Sequence, residues 1–560
     1  MGEFSAPAAH PSTSDVSTAK RSPLSRLIGV ILILPALALG LVTITLPFAA
    51  TFYFSFQKSD LITASKFVGL ENYLNLFSTP ASGEALAGTL RVVFLAIVLV
   101  GITGGCIALG AAWFGKKSSL LFRLLLCLPL AAWAPVFWGL SWKIGFLKDS
   151  MAGQLIQNMS GTPFLSPGPG HWLFSLGVAL IISAPTIAVS GIVYLSALHT
   201  GSTRRQGLLP GLVWVITLLA LLALIPQDFS LSFLFSSSPL SVGGASTLGL
   251  LIYRFGFMYM QFGPASAFSA LLNVFATLIG LVVTLVIILS RIQVRLSQGA
   301  DFAQRKMLPG ILLLLGLLVF LGGLFLGILP TLSAALGHFP QQPERLITSP
   351  GIMAGLSNSL MQLIPVFLLQ LPVSYLAALG IGGLRPLGKR SEWLLLLFGG
   401  GLFITFTPVL VVGFTLLRTI GNINTLPGLL LSSSMLNVPM LFILTLFFKG
   451  QVSSWEQQTE SGVSNFSAFF RSMVLPSLPL ALLLTLASCI VILGDISWTL
   501  VAVNSPGLMP LSLQFVHQQT LYASGNYLGT MLAPVVIQFL VSLVALVLFQ
   551  WLYLPRIEIQ

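Results

Sequence analysis

Arg291-Ile-Gln-Val-Arg-Leu-Ser-Gln-Gly-Ala-Asp-Phe-Ala-Gln-Arg-Lys306 is a polar interruption in a chain that is otherwise largely apolar. Of 560 residues, 56% are hydrophobic and only 7% are charged, and the mean hydropathy is +0.97. Soluble domains carry about 25% charged residues, so a water-soluble enzyme of several domains is excluded. On both sides of the interruption, apolar runs recur at about the 20-residue length that crosses a bilayer core. Predicted spans lie near 27–54, 88–113, 120–142, 172–197, 207–225 and 266–290 before it. Those near 308–333, 353–381, 393–417, 427–448, 474–495 and 531–554 follow it. The expectation is an all-α polytopic membrane protein, with about 12 transmembrane helices in two parallel six-helix halves. A transmembrane barrel would show alternating strands instead.

The expected organisation is a disordered tail over 1–25, a first half over 26–290, a linker over 291–306 and a second half over 307–560. The tail is polar and rich in Ser, Ala and Pro, a composition that buries too little to order itself. The net charge is +12, but position explains it. Most of the 26 Lys and Arg fall on one side of the predicted spans, including Lys116, Lys117, Arg204, Arg205, Lys389, Arg390 and the linker. By the positive-inside rule that side, and with it both termini, is cytoplasmic. The basic balance therefore implies a lipid bilayer and not a nucleic acid. Cys106, Cys127 and Cys489 sit inside apolar runs, which suggests neither a disulfide framework nor a metal site. The first apolar run is too long for a cleavable signal.

A repeat accompanies the division. Gly115-Lys116-Lys117-Ser118 precedes Pro135 by the spacing that separates Gly388-Lys389-Arg390-Ser391 from Pro408, and Thr89-Leu90 and Ser359-Leu360 each open a second span. Pro135, Pro185, Pro408 and Pro439 lie within predicted spans, where proline can kink a helix. Asp495, in Gly494-Asp495-Ile496-Ser497-Trp498, closes the eleventh span. An acid at membrane depth is costly and faces a cavity or partner; with Trp498 it could bond and stack on a sugar. The alternative is an interfacial Asp beside a Trp of the aromatic belt.

Phe67-Val68-Gly69-Leu70-Glu71-Asn72-Tyr73, after a first span ending in Ser55-Phe56, resembles the N-terminal part of permeases of binding-protein-dependent ABC importers, carbohydrate type. The stretch from Asp149 to Pro167 and the run Gln261-Phe262-Gly263-Pro264 look like the same family. So do Asn358-Ser359-Leu360, Gly421-Asn422-Ile423-Asn424-Thr425-Leu426-Pro427-Gly428 and Leu508-Met509-Pro510-Leu511 in the second half. The resemblance implies two permeases fused through the linker, two ATPase copies and an extracytoplasmic solute-binding protein. It also implies a bacterial inner-membrane location. In the family, a loop between the fourth and fifth spans forms a short coupling helix that docks on the ATPase. Glu456-Gln457-Gln458, Gly462 and Leu475-Pro476 occupy that loop here, with Gln where the family has Ala and Ser461 where it has an acid. Glu456 and Glu460 are spaced to share a helical face. In the first half, His199-Thr-Gly-Ser-Thr-Arg-Arg-Gln-Gly207 takes this place without any Glu.

The chain has no Gly-x-x-x-x-Gly-Lys-Ser/Thr loop, so ATP hydrolysis is expected in a separate subunit, with no cofactor and no catalytic residue in this one. Two other readings stand beside the importer: a secondary carrier of major-facilitator layout, which shares the parallel halves, and a membrane scaffold that has lost ATPase coupling.

Overall fold

The computed structural model describes residues 23–59, 65–111, 116–131, 136, 169–198, 209–235, 247–296, 350–521 and 526–559. The first half contributes α1 (Pro23–Ser55), α2 (Pro80–Ala111), α3 (Lys116–Ala131), α4 (Pro169–Leu198), α5 (Leu209–Leu224) and α6 (Phe262–Ser290). The second contributes α7 (Gly351–Leu384), α8 (Leu410–Thr419), α9 (Val438–Glu460), α10 (Leu475–Gly494) and α11 (Asn526–Leu552). Among the described residues, 7 helices are long and apolar enough to span a membrane, and four shorter apolar helices accompany them. The protein is therefore an all-α polytopic membrane protein. Of the tail predicted over 1–25, residues 1–22 lie outside the described residues and the rest open α1; Pro135, the linker beyond 296 and the span near 308–333 also lie outside them.

Prolines shape the long helices in a regular way. π turns at Leu41–Thr45, Val366–Gln370 and Phe470–Val474 are each followed, two residues on, by Pro47, Pro372 or Pro476. A proline lacks the N–H that the carbonyl four residues earlier would accept, and its ring crowds that carbonyl. One widened turn absorbs both problems without breaking the helix. Pro439 behaves differently from the expected mid-span kink. It lies in the first turn of α9, where no intrahelical donor is required, and the Asn437 side chain caps Met440 N at 3.0 Å.

The predicted span over 393–417 is not one helix. A tight 3-10 segment (Gly388–Leu395) and a single turn (Leu396–Gly399) end at Gly399-Gly400-Gly401, and helix resumes only after Pro408, in α8. The glycines admit α6: a Cβ on Gly280 would overlap the Gly399 carbonyl, while one on Gly400 would meet Thr277 at 3.1 Å. Apolar residues of both halves share one core here, Ile279, Val283 and Ile287 packing with Ile381, Phe398 and Leu441.

Polar links also join the halves. Gln227, 2% exposed after α5, donates to the carbonyls of Ala223 at 2.7 Å and Phe403 at 2.9 Å, and accepts from Thr405 N and Oγ1, both at 2.9 Å. Beyond α6, strand β1 (Val294–Leu296) pairs antiparallel with β2 (Ile557–Ile559), with Val294 opposite Ile559. A Cβ on Gly450 of α9 would overlap the Val294 carbonyl. Next to it, Lys449 Nζ donates to the Ile292 carbonyl at 3.0 Å and pairs with Glu392 at 2.7 Å; Glu392 also meets Arg385 at 3.4 Å.

Two hydrogen bonds occupy matching positions in the halves. Thr89 Oγ1 accepts from Leu248 N at 3.1 Å, and Ser359 Oγ accepts from Leu511 N at 2.9 Å. In each half a hydroxyl within the second span thus accepts from the first N–H of a short helix that precedes the last one.

Candidate functional site

The first group of interest forms where α5 and α10 end. Asp228 follows α5 and Asp495 follows α10, each one residue beyond an apolar helix that ends at Gln227 or Gly494. Each carboxylate is half-buried and folds the chain locally around itself. Asp228 accepts from Ser232 N at 3.3 Å and Ser232 Oγ at 3.2 Å. Asp495 accepts from Ser497 N at 2.9 Å and Ser497 Oγ at 2.7 Å. The two turns meet: Ile496 N donates to Ser230 Oγ at 3.5 Å, and the Ser230 side chain also bonds Asp495. Burial pushes Asp228 up to about 6 against the pull of its Ser232 bonds, and the nearby Asp495 charge adds to the rise. Burial raises Asp495 as well, opposed by its bonds to Ser497 and Ser230. Desolvation and like charge both favour the neutral acid.

Asp228 was not foreseen, although Asp228-Phe229-Ser230 and Asp495-Ile496-Ser497 share a spacing and each follows the fifth helix of its half. That shared spacing was the signal.

Trp498 is close in sequence to Asp495 but differently placed. It is fully buried, donates Nε1–H to the Gly428 carbonyl at 2.9 Å and packs edge-on against Phe406 with centroids 4.6 Å apart. Its ring also fills the space beside Gly413. The Gly421–Gly428 turn it holds is secured further by Asn424, with φ of 58°, whose Oδ1 accepts from Asn504 N at 3.1 Å and Ser505 N at 2.9 Å. In this arrangement the indole packs and anchors a turn, and no face of it lies open to a solute.

The second group lies at the turn between α9 and α10. α9 runs well past the predicted span end near 448, so Glu456 and Glu460 occupy its last two turns instead of a separate short helix. They lie one turn apart on one face, Glu456 half-buried and Glu460 exposed. Gly462 then takes φ of +88°, a conformation that glycine adopts at no steric cost. Ser464 caps a short helix (Asn465–Phe469) that leads through the π turn into Leu475-Pro476 at the start of α10. The hairpin is pinned by Trp455, which donates to Asn465 Oδ1 at 3.1 Å and packs edge-on against Phe469. Leu475 is exposed, and the Pro476 carbonyl accepts from the Tyr553 hydroxyl. Phe466, at the tip, is 80% exposed. The first-half segment His199–Gly207 and the stretch Asp149–Pro167 lie outside the described residues.

Several segments that carried the family resemblance touch one another. Asn72 Nδ2 bonds the carbonyls of Ser55 at 2.8 Å and Gln57 at 2.9 Å, and Gly263 packs against Gln57 and Asn72. Asn358 Nδ2 bonds the Gly507 carbonyl at 2.8 Å, beside the Ser359–Leu511 bond. Among the described residues, no group of three or more His, Cys, Asp and Glu could hold a metal ion.

Helix-dominated architecture, bilayer-length apolar segments and polar links between two sets of helices define a multi-pass membrane protein. The chain is similar to the probable ABC transporter permease protein YesP of Bacillus subtilis (strain 168), with 25% identity over 262 residues, covering 42% of this chain and 82% of that protein. No family model matches the chain. The likeness supports a role as a transporter permease.

Proposed function

We propose that this chain is the membrane permease of an ABC importer for a carbohydrate or related polar solute, built as two permease halves in one polypeptide. The observation that carries the reading is the likeness to a permease, which spans most of the relative and less than half of this chain. The matched Thr89–Leu248 and Ser359–Leu511 bonds support a doubled plan. Two ATPase copies would bind on the cytoplasmic side, where both termini lie. A binding protein would deliver solute from outside, in a bacterial inner membrane.

The mechanism is alternating access, with the halves rocking about the seam between α6 and the 399–409 segment. A solute can bias two states only if it binds them differently, and hydrolysis in the separate ATPase supplies the drive. Glu456 and Glu460 are the contacts through which the ATPase moves α9. Gly462 sets the turn, and Leu475-Pro476 carries the movement into α10. Asp495, with Asp228, forms the polar part of the pathway, and Trp498 holds the adjoining turn in place.

Affinity purification of the tagged chain from its native membrane in mild detergent, followed by mass spectrometry, tests this. An ATPase and a solute-binding protein are expected, and Glu456→Gln should lower ATPase recovery. Unchanged recovery would refute the coupling role. A chain that came alone, under conditions preserving other ABC complexes, would point to a secondary carrier.

A further inference from the structure

Asn273 lies midway along α6, fully buried, and neither its Oδ1 nor its Nδ2 has a hydrogen-bond partner. A carboxamide offers one acceptor and two donor hydrogens, and burying it unpaired lowers stability. Apolar side chains would fill the same space without that cost.

The direction in which Asn273 points follows from the helix. Positions seven apart on an α-helix lie on nearly the same face, so Ser266, Asn273 and Gly280 are aligned. Gly280 meets the Gly399 backbone and Leu402, Thr277 meets Gly400, and Thr284 meets Gly399. This face of α6 is therefore the one turned to the second half, and Ser266 Oγ on it is also buried and unpaired. The opposing segment contains the glycine run and the broken helix before α8, where α6 meets backbone at Gly399 and Gly400.

We infer that Asn273 is a solute-contacting residue of the transport pathway, hidden between the halves in the arrangement described and uncovered when they part. The inference rests on the permease reading and deepens it. An amide that can both donate and accept suits an uncharged hydroxyl-bearing solute such as a sugar, whose hydroxyls do the same. It would give no preference to an anion or a cation.

The test uses the complex of the full chain with its ATPase in lipid nanodiscs, with Cys106, Cys127 and Cys489 replaced by Ser and Asn273→Cys introduced. The probe is 2-aminoethyl methanethiosulfonate. Labelling is expected to be slow in one nucleotide state and at least about tenfold faster in the other, compared with and without ATP and vanadate. Sugar eluted from the co-purified binding protein should slow the faster reaction. Equal rates in both states, or no protection by that sugar, would overturn the inference. In a second measurement, Asn273→Leu should raise the melting temperature in detergent. A lower one would mean that the amide is satisfied where it lies, and would also overturn it. Absence of an ATPase from the preparation would defeat the permease reading itself, and this inference with it.

Discussion

Asp228 carries its charge at a cost, because burial and the neighbouring Asp495 both oppose ionisation. Its folded pKa of about 6 lies above the roughly 3.9 of a free Asp. Between those values the folded chain keeps a proton that the unfolded chain has released, so stability falls as pH rises through that window and levels off above it. Asp228→Asn should flatten this decline and leave the variant more stable than the parent above pH 6. Thermal unfolding in detergent across that range measures it; an unchanged slope would place the effect elsewhere. At this scale the sequence was only partly legible. Asp495 could be picked out because an acid is conspicuous beside an apolar run. The matching spacing around Asp228 could be read too, but that the two turns meet is a property of the packed molecule. Trp498 shows the same limit: an aromatic beside an acid suggests a stacking face, while burial against Phe406 and Gly413 is decided by distant segments.

Helices were the most legible elements, since uninterrupted apolar length alone locates them. α1, α4, α6 and α10 lie close to their predicted spans. Where the reading failed, local chemistry overrode apolarity. The span over 393–417 looked continuous because Gly399-Gly400-Gly401 is apolar enough, yet a glycine run holds a helix weakly and lets α6 approach its backbone. Proline positions could be read, but their consequence depended on register: Pro439 starts a helix, whereas Pro47, Pro372 and Pro476 widen one. Gln227 was not singled out at all, although its side chain fastens α5 to the non-helical 403–405 segment of the other half. Gln227→Leu removes all four of its bonds and leaves Phe403 O and Thr405 N to find new partners. A loss of about 1–3 kcal/mol per buried group left unpaired is expected, seen as a lower melting temperature. Faster hydrogen exchange confined to 400–409 would locate the damage.

Considered whole, the molecule is more tightly joined than a linker between two independent sets of spans would suggest. The halves share apolar clusters and the Gln227 bonds, and the chain leaving α6 is tied to the second half by the Lys449 bond to the Ile292 carbonyl and the β1–β2 pair. A protease site placed within 297–306 should therefore cut the backbone without separating the pieces, which ought to co-elute in detergent as one particle. Pieces that drift apart would show that the covalent connection, and not the packing, holds the halves together. The polar run at 291–306 was legible as an interruption between spans, but its structure was not. Residues 294–296 read as connecting chain and instead form a strand, because their partner lies at 557–559. That distance along the chain has a consequence for biogenesis. The segment leaving α6 is made long before the strand that pairs with it. Throughout that interval the nascent protein carries an unzipped backbone edge that no local sequence can close.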